Sequence, residues 1–496
     1  MENLIIINVT FSETRVALSE NGAISEIYIE RKSHPRIVGN IYKGRVGKIV
    51  PGMQAAFVDI GLDKSGFISV EDVTEEPFWA FLGGEEEEAY HKPKAQPTLI
   101  QDMLREGQEV LVQVIKEPSG GKGPKLSSNV AIPGKYLVLL GTADIVGISR
   151  RIVSKEERNR LSAVVHKAKP PGIGFIVRTA SEDASEEEIL SDMRYLTATW
   201  DEIKRRSEGK SAPVLLYEEP SLYIRAIRDL ATGDLKKIVV DSKEVYREII
   251  AHLKSRYIGT DATVEFYEDP TPIFTRYGVD EEIDRIYEKR VWLKSGGYLI
   301  IDLAEALTVI DVNTGRYLKG TTQDETIYNI NIEAAVEIAR QIRLRNLVGI
   351  IVIDFIDMKD QNKRKEVFRV FTEALEKDKA RSVILEMSPF GVVQMTRQRV
   401  RENLLSMISE PCEVCGGTGY VKSLETTAYE MIRLIRYHAQ KGPTTKITVK
   451  GDEKLIRVLE NIEGENLKRF VAELGVEIRF TPLKGEKHGY YELIAD

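Results

Sequence analysis

Gly297 to Gly320 reads GYLIIDLAEALTVIDVNTGRYLKG, and a distant segment, Gly349 to Met358, reads GIIVIDFIDM. Each holds an apolar, β-branched run that predicts a buried strand, and each run stops on a carboxylate, Asp311 or Asp354. Two strands ending side by side bring two acidic groups to one edge of a sheet, the edge where open α/β sheets bind ligands. Hard divalent cations such as Mg²⁺ take carboxylate oxygens and keep most of their waters, so two aspartates suffice as the protein's share. Asn313, two residues past Asp311, falls on the same side of a continuing strand, where its amide can orient a carboxylate or a phosphate oxygen. Strand-terminal aspartates also cap turns and helices, and the pair alone does not separate these uses. Nearby Asp357 is assigned a structural role.

Composition bounds what surrounds this pair. A chain of 496 residues exceeds what one core supports, so three or more domains are expected. With 42% apolar and 30% charged residues the chain reads as soluble and globular. No apolar run reaches the ~18 residues of a membrane span, and the start MENLIIINVT lacks the basic and long apolar segments of a signal peptide, so the cytoplasm is expected. A net charge of −7 leaves nucleic-acid binding to local patches. The two cysteines, Cys412 and Cys415, are too few for a disulfide framework.

Upstream of the acidic strands, residues 3 to 30 alternate apolar and polar positions around an Asn21-Gly22 turn and predict a small antiparallel sheet. From Val38 the texture becomes short strands broken by Gly and Pro, as in a small barrel, with Tyr42, Lys43, Arg45, Lys48, Phe57, Lys64 and Phe67 interleaved. Aromatics and cations on a barrel face suit single-stranded nucleic acid, although aromatics also fill barrel cores. The order G-N-I-Y-K-G, A-A-F-V-D-I-G, G-F-I resembles the S1 RNA-binding domain, an OB-fold. That resemblance implies stacking by Phe57 and Phe67 and a phosphate contact from Lys116. The acidic run Glu85 to Glu88 is read as a solvated insertion. Residues 128 to 222 predict strands and a helix opened by a Ser185/Glu188 capping box, with Ile189, Met193, Leu196, Trp200 and Ile203 on its apolar face. Arg178-Thr179 ends the strand GFIV and offers a guanidinium fork and a hydroxyl to a phosphate, or is an ordinary strand end. The pair Arg150-Arg151 reads equally as a solvated face or an RNA contact.

Residues 223 to 287 read strand, helix, strand, which can complete the amino-terminal sheet. Long helices are expected around NINIEAAVEIARQIRLRNL and KRKEVFRVFTEALEK, and the tail after the cysteines reads as a compact α+β module with two short helices.

Taken in this order, SGGYLIIDLAEALTVIDVNTGR, NLVGIIVIDFIDM, GVVQMTRQR and CEVCGGTG resemble the ribonuclease E/G family over essentially the whole chain. The resemblance implies a multidomain α/β and α+β fold. Residues 1–35 with 223–287 correspond to a ribonuclease H-like domain without catalytic acids, Asn8 standing where an aspartate would. Into it are inserted an S1-type barrel (36–127) and a 5′-sensor domain (128–222). A DNase I-like catalytic domain (288–407), a zinc-link (408–421) and a small C-terminal domain (422–496) follow. It further implies Mg²⁺ on Asp311 and Asp354 supported by Asn313, and a 5′-monophosphate sensor at Gly134, Val138, Arg178 and Thr179. A basic residue supporting that sensor is matched by Pro389, which predicts weaker sensing.

The reading is a single-strand-specific endoribonuclease that leaves 5′-phosphate and 3′-hydroxyl ends. Structural Zn²⁺ takes four ligands and favours thiolates, so a four-thiolate site built on Cys412 and Cys415 needs two chains, while a site within one chain would need His or carboxylate ligands for which the pattern names no candidate. The expectation, which the resemblance also implies, is one zinc shared by two chains and hence a homodimer, open to further association. One alternative is a non-catalytic dimeric RNA-binding scaffold. Another is a cytosolic thiol–disulfide protein, disfavoured because Gly-Gly-Thr-Gly after Cys415 is a tight knuckle and no thioredoxin-like βαβ pattern is read around it.

Overall fold

The amino-terminal alternation folds as an antiparallel meander of Asn3–Val9, Glu13–Glu20 and Ala23–Arg31. Asn3–Val9 also pairs in parallel with Leu235–Val240, and that strand with Thr263–Phe266, so two distant pieces of chain build one five-stranded sheet. Asn8 is spent within it, donating to Asp241 at 2.6 Å and accepting from Arg15 at 2.8 Å. The computed structural model describes residues 2–33, 35–73, 99–118, 121–231, 234–254, 260, 262–315, 322–399, 401–441 and 446–495. The acidic run Glu85 to Glu88 lies outside them.

Ile41–Val50, Ala55–Asp59, Gly66–Ser69, Lys125–Ser127 and Glu109–Lys116 close into a five-stranded barrel, because Ile41–Val50 pairs with both its first and its last neighbour. Val46, Val58, Ile68, Val112, Val114 and Leu126 fill the interior. Next to it Ala131–Pro133, Leu137–Leu140, Gly174–Val177 and Val146–Ile148 form a four-stranded sheet, packed by helices Lys155–Ala168 and Glu186–Ser207. The Ser185/Glu188 capping box is present, and the five apolar side chains named for the second helix are all buried.

The acidic strands lie in a six-stranded sheet ordered Arg290–Trp292, Tyr298–Leu303, Leu307–Asn313, Gly349–Asp354, Val392–Arg397, Ser382–Ile384. Leu307–Asn313 and Gly349–Asp354 run parallel, which requires a crossover, and helix Gln323–Leu344 supplies it. That helix and Gln361–Leu375 cover one face, packing Ile330, Ala334, Ile338, Val367 and Phe371 on Leu299, Ile310, Val312, Ile351 and Ile353. The apolar runs are therefore buried on one face only: Val309, Ile350 and Val383 on the other face are exposed. The sequence expectation of wholly buried strands fails here because among the described residues both helices lie on one side.

Arg343, near the end of the crossover helix, fixes this sheet to the amino-terminal one. Its guanidinium donates to Glu26 at 2.8 and 3.1 Å and to Glu20 at 2.7 Å.

Residues 408–496 form a separate compact unit. Helix Leu424–Lys441 precedes strand Lys446–Asp452, helix Glu453–Leu474 and strand Glu477–Leu483, the two strands being parallel, and Tyr491–Ala495 adds antiparallel. Two sequence expectations are corrected. The two short helices are one helix of 22 residues, since an interior glycine such as Gly464 weakens a helix by only about 1 kcal/mol. A βαβ unit does follow the cysteines. No helix among the described residues is long and apolar enough to cross a membrane.

Candidate active site

Asp311 and Asp354 stand directly opposite one another in the parallel register and both are exposed. The alternation that buries Ile310 and Ile353 under the helices turns both carboxylates to the open face. Asn313 donates its amide to Asp311 Oδ2 at 2.8 Å and so fixes the orientation of that carboxylate. Partial burial, then the charges of Asp311 and Asp357, push the Asp354 carboxyl above its ordinary value. Asp357, assigned a structural role from sequence, is exposed and adds to this negative charge. Among the described residues no Lys or Arg forms an ion pair with these aspartates, and the edge presents hard oxygen donors. That fits a small divalent cation. The described residues hold no cluster of three or more His, Cys, Asp or Glu suited to a metal, so such an ion would keep several waters.

Sequence reading missed a residue that shapes this edge. Asn331, fully buried on the crossover helix, accepts from the Ile356 N–H at 3.1 Å and donates to the Ile356 carbonyl at 2.8 Å, pinning the chain just past Asp354. An asparagine in the apolar pattern NINIEAAVEIA was the available signal.

On the barrel, Phe57 pairs in register with Phe67, Phe67 with Lys125, and Lys125 with Lys116, so four side chains cross adjacent strands in one row. The two rings sit edge to face with centroids 6.0 Å apart, and Phe57 and Lys116 are exposed. Lys125, not singled out from sequence, is in this row but pairs with Asp72 at 2.8 Å.

Arg178 is engaged at both arms of its fork: one donates to the Gly134 carbonyl, the other to Asp229 at 2.9 Å. Gly134 is a site of close approach, since a Cβ there would meet both Asp192 carboxylate oxygens at 2.5 Å. The Asp192 carboxylate in turn accepts from the backbone N–H groups of Tyr136 and Leu137. Thr179 shares a hydrogen bond with Ser149 at 2.9 Å. Arg178 and Val138 line a cavity of about 360 Å³ together with Arg228, Asp229, Lys379 and Arg381. Val138 is buried, so it contributes only a wall, and Thr179 and Gly134 are not among the lining residues. Burial opposes ionisation of Asp229, but the guanidinium groups of Arg228 and Arg178 hold its carboxyl well below the usual range.

Pro389, expected to weaken this pocket, is not part of it. It sits in the turn before Val392–Arg397, where its carbonyl accepts from Arg364 at 3.1 Å. The cations beside Arg178 come instead from Lys379 and Arg381, just ahead of strand Ser382–Ile384.

Cys412 and Cys415 are free thiols on a turn with Gly416, Gly417 and Gly419 at positive φ, where side chains larger than hydrogen are strained. The Gly419 N–H donates to Cys415 Sγ at 3.3 Å. Backbone N–H groups of Gly419 and Gly417 draw the Cys415 thiol below its ordinary value, which favours the thiolate that zinc takes. Cys415 lies ahead of helix Leu424–Lys441 rather than on its first turn.

A barrel with an aromatic row and a sheet edge bearing paired carboxylates fit a nuclease-type protein. Comparison with known sequences gives the particular family. The sequence model of the Ribonuclease E/G family matches residues 131–400, and that of the RNase E/G thioredoxin-like domain matches 411–494. Ribonuclease G of Salmonella typhimurium (strain SL1344) is 43% identical over 435 residues, 88% of each chain. Ribonuclease G of Escherichia coli (strain K12) is 41% identical over 487 residues, covering 97% of this chain and 98% of that protein. Ribonuclease E of the same strain is 36% identical over 451 residues, 90% of this chain but 41% of that longer protein. The chain belongs to the ribonuclease E/G family and is an endoribonuclease, which sets aside the scaffold alternative. The thioredoxin-like description agrees with the βαβ unit of the tail and corrects the reading that no such pattern accompanies the cysteines.

Proposed function

We propose that this endoribonuclease hydrolyses single-stranded RNA at the Asp311/Asp354 edge with Mg²⁺, leaves 5′-phosphate and 3′-hydroxyl ends, and acts in cytoplasmic RNA processing and decay. The observation that carries the reading is the registered carboxylate pair on an open sheet face, with no cation paired to it among the described residues. Asp311 and Asp354 would hold the ion, and Asn313 fixes the orientation of the Asp311 carboxylate. When bound, Mg²⁺ supplies Lewis-acid activation of the attacking water and neutralises charge at the phosphate. The row Phe57, Phe67 and Lys116 supports the barrel as the surface that holds the strand, by stacking and by phosphate contact. We divide the chain into 1–35 with 223–287, 36–127, 128–222, 288–407, 408–421 and 422–496, with ribonuclease H-like, S1, 5′-sensor, DNase I-like, zinc-link and small-domain roles in that order. The five-stranded sheet, the barrel, the acidic sheet and the separate unit from residue 408 support it, while Val214–Tyr217 pairs with the barrel strand Ile41–Val50.

The cation-lined cavity at Arg178 supports a preference for 5′-monophosphate ends. A terminal phosphate competes with Asp229 for the Arg178 fork, whose other arm stays on the Gly134 carbonyl, and the Thr179 hydroxyl, now shared with Ser149, is the further donor assigned to it. The knuckle supports a structural zinc: two thiolates per chain complete a four-thiolate site only when two chains share it, which makes a homodimer.

The test is to incubate a 5′-labelled single-stranded oligoribonucleotide with the protein, with Mg²⁺ and with EDTA, and to map the ends. Mg²⁺-dependent products with 3′-hydroxyl ends are expected. Metal-independent cutting to cyclic phosphates would overturn the reading.

A further inference from the structure

The open face of the six-stranded sheet carries a second group of side chains beyond the acidic edge. In register, Asp354, Asp311, Ile300 and Arg290 form one row across four strands, and Asn313, Tyr298 and Trp292 form the neighbouring row. All of these point away from the helices, because the alternate residues Val291, Leu299, Ile301, Ile310, Val312 and Ile353 belong to the core on the other side. Trp292 is 57% exposed, on an edge strand, although a ring of that size normally finds cover. It meets Tyr298 edge to face with centroids 5.3 Å apart. The Arg290 guanidinium lies over both rings, 4.6 Å from Tyr298 and 5.5 Å from Trp292. Among the described residues Arg290 has no carboxylate partner, whereas its neighbour Lys289 is paired with Asp302 at 3.0 Å.

We propose that Trp292 and Tyr298, braced by Arg290, form a stacking platform for an RNA base next to the scissile phosphate. Three observations converge on that occupant. The substrate of an endoribonuclease presents flat π faces and phosphates, and the cluster presents two rings and a cation with no acid bound to it. Neighbouring strands are about 4.8 Å apart, so Trp292 stands about 10 Å from the Asn313 strand, within reach of a nucleotide flanking a phosphate held at Asp311 and Asp354. The rings share the open face with those aspartates, so a strand lying across it meets both without bending around the sheet. The platform is separate from the barrel row of Phe57 and Phe67, and it rests on the reading of the acidic edge as the cleavage site.

The experiment uses the full-length protein and a single-stranded oligoribonucleotide in which 2-aminopurine is moved one position at a time through the region of the cut. Asp354→Asn serves as the background for binding without cleavage. One position close to the cut is expected to be quenched on binding, and Trp292→Ala in the same background is expected to lose that quenching. In the otherwise unaltered enzyme, Trp292→Ala should raise KM about tenfold with kcat little changed, and Trp292→Phe should recover most of the loss. An abasic residue at the quenched position should be cut alike by the unaltered enzyme and by Trp292→Ala, because the base that stacks is gone. Unchanged quenching and KM in Trp292→Ala would overturn the platform. So would a fall in solution mass with RNA affinity retained, which would make the face a contact between copies of the chain. Continued cutting by Asp354→Asn is a distinct outcome: it would overturn the cleavage-site reading and with it the location given to the base.

Discussion

Arg178 shows how one side chain can be both occupied and available. Its fork is closed onto Gly134 and Asp229, yet it faces a cavity that also holds Arg228, Lys379 and Arg381. A 5′-phosphate brings more charge than Asp229 and takes charge-assisted hydrogen bonds worth roughly 1.5–3 kcal/mol each. Arg178→Ala is therefore expected to lower the ratio of cleavage rates for 5′-monophosphorylated over 5′-hydroxyl oligonucleotides about tenfold, at one fixed salt concentration. An unchanged ratio would return Arg178 to an ordinary strand end. This residue could be singled out from sequence because a guanidinium and a hydroxyl close an apolar run. Its neighbours Lys379 and Arg381 could not, since they come from a turn some two hundred positions away, and the resemblance placed the supporting position at Pro389, outside the cavity.

At the scale of elements, the capping box, the strand periods and the crossover helix were legible because they are local. One-sided burial of the acidic sheet was not: Gly349–Asp354 is apolar at nearly every position, and only the location of the helices decides which face is covered. Trp292 went unremarked for the same reason, an aromatic on a short strand reading equally as core or surface. Arg343 is another such case, and it carries a stability prediction. Removing its charge leaves Glu20 and the buried Glu26 without their guanidinium, and breaking a buried pair in this way costs about 3–5 kcal/mol. Arg343→Met should lower the urea midpoint accordingly. Burial raises the Glu20 pKa, but the hydrogen bond and charge of Arg343 outweigh it and hold the carboxyl below its ordinary 4.5. A depressed carboxyl contributes stability above its unfolded value that is lost as pH falls through the folded one. The gap between the two proteins should thus narrow below about pH 4.5. A gap that is constant with pH would place the effect in packing rather than charge.

At the scale of the whole molecule, the chain assembles a five-stranded barrel, a cation-lined cavity and an acidic sheet edge within residues 1–407, and a thiol knuckle in a separate unit. If one zinc is shared by two knuckles, metal analysis should return half a zinc per chain, and Cys412→Ser with Cys415→Ser should shift the solution mass from dimer to monomer. One zinc per chain, or a fully active dimer without the thiols, would contradict this. Cleavage itself is assigned to the carboxylate pair. The most direct measurement is Mg²⁺-dependent cleavage of a 5′-monophosphorylated single-stranded oligonucleotide by Asp311→Asn, Asp354→Asn and the double variant, with RNA affinity measured alongside. Asparagine keeps the size and most of the hydrogen bonding but removes the charge that holds a hard cation. Cleavage should fall by orders of magnitude while affinity, which we assign to the barrel and the open face, changes little. Robust Mg²⁺-dependent cutting by the double variant would contradict the account.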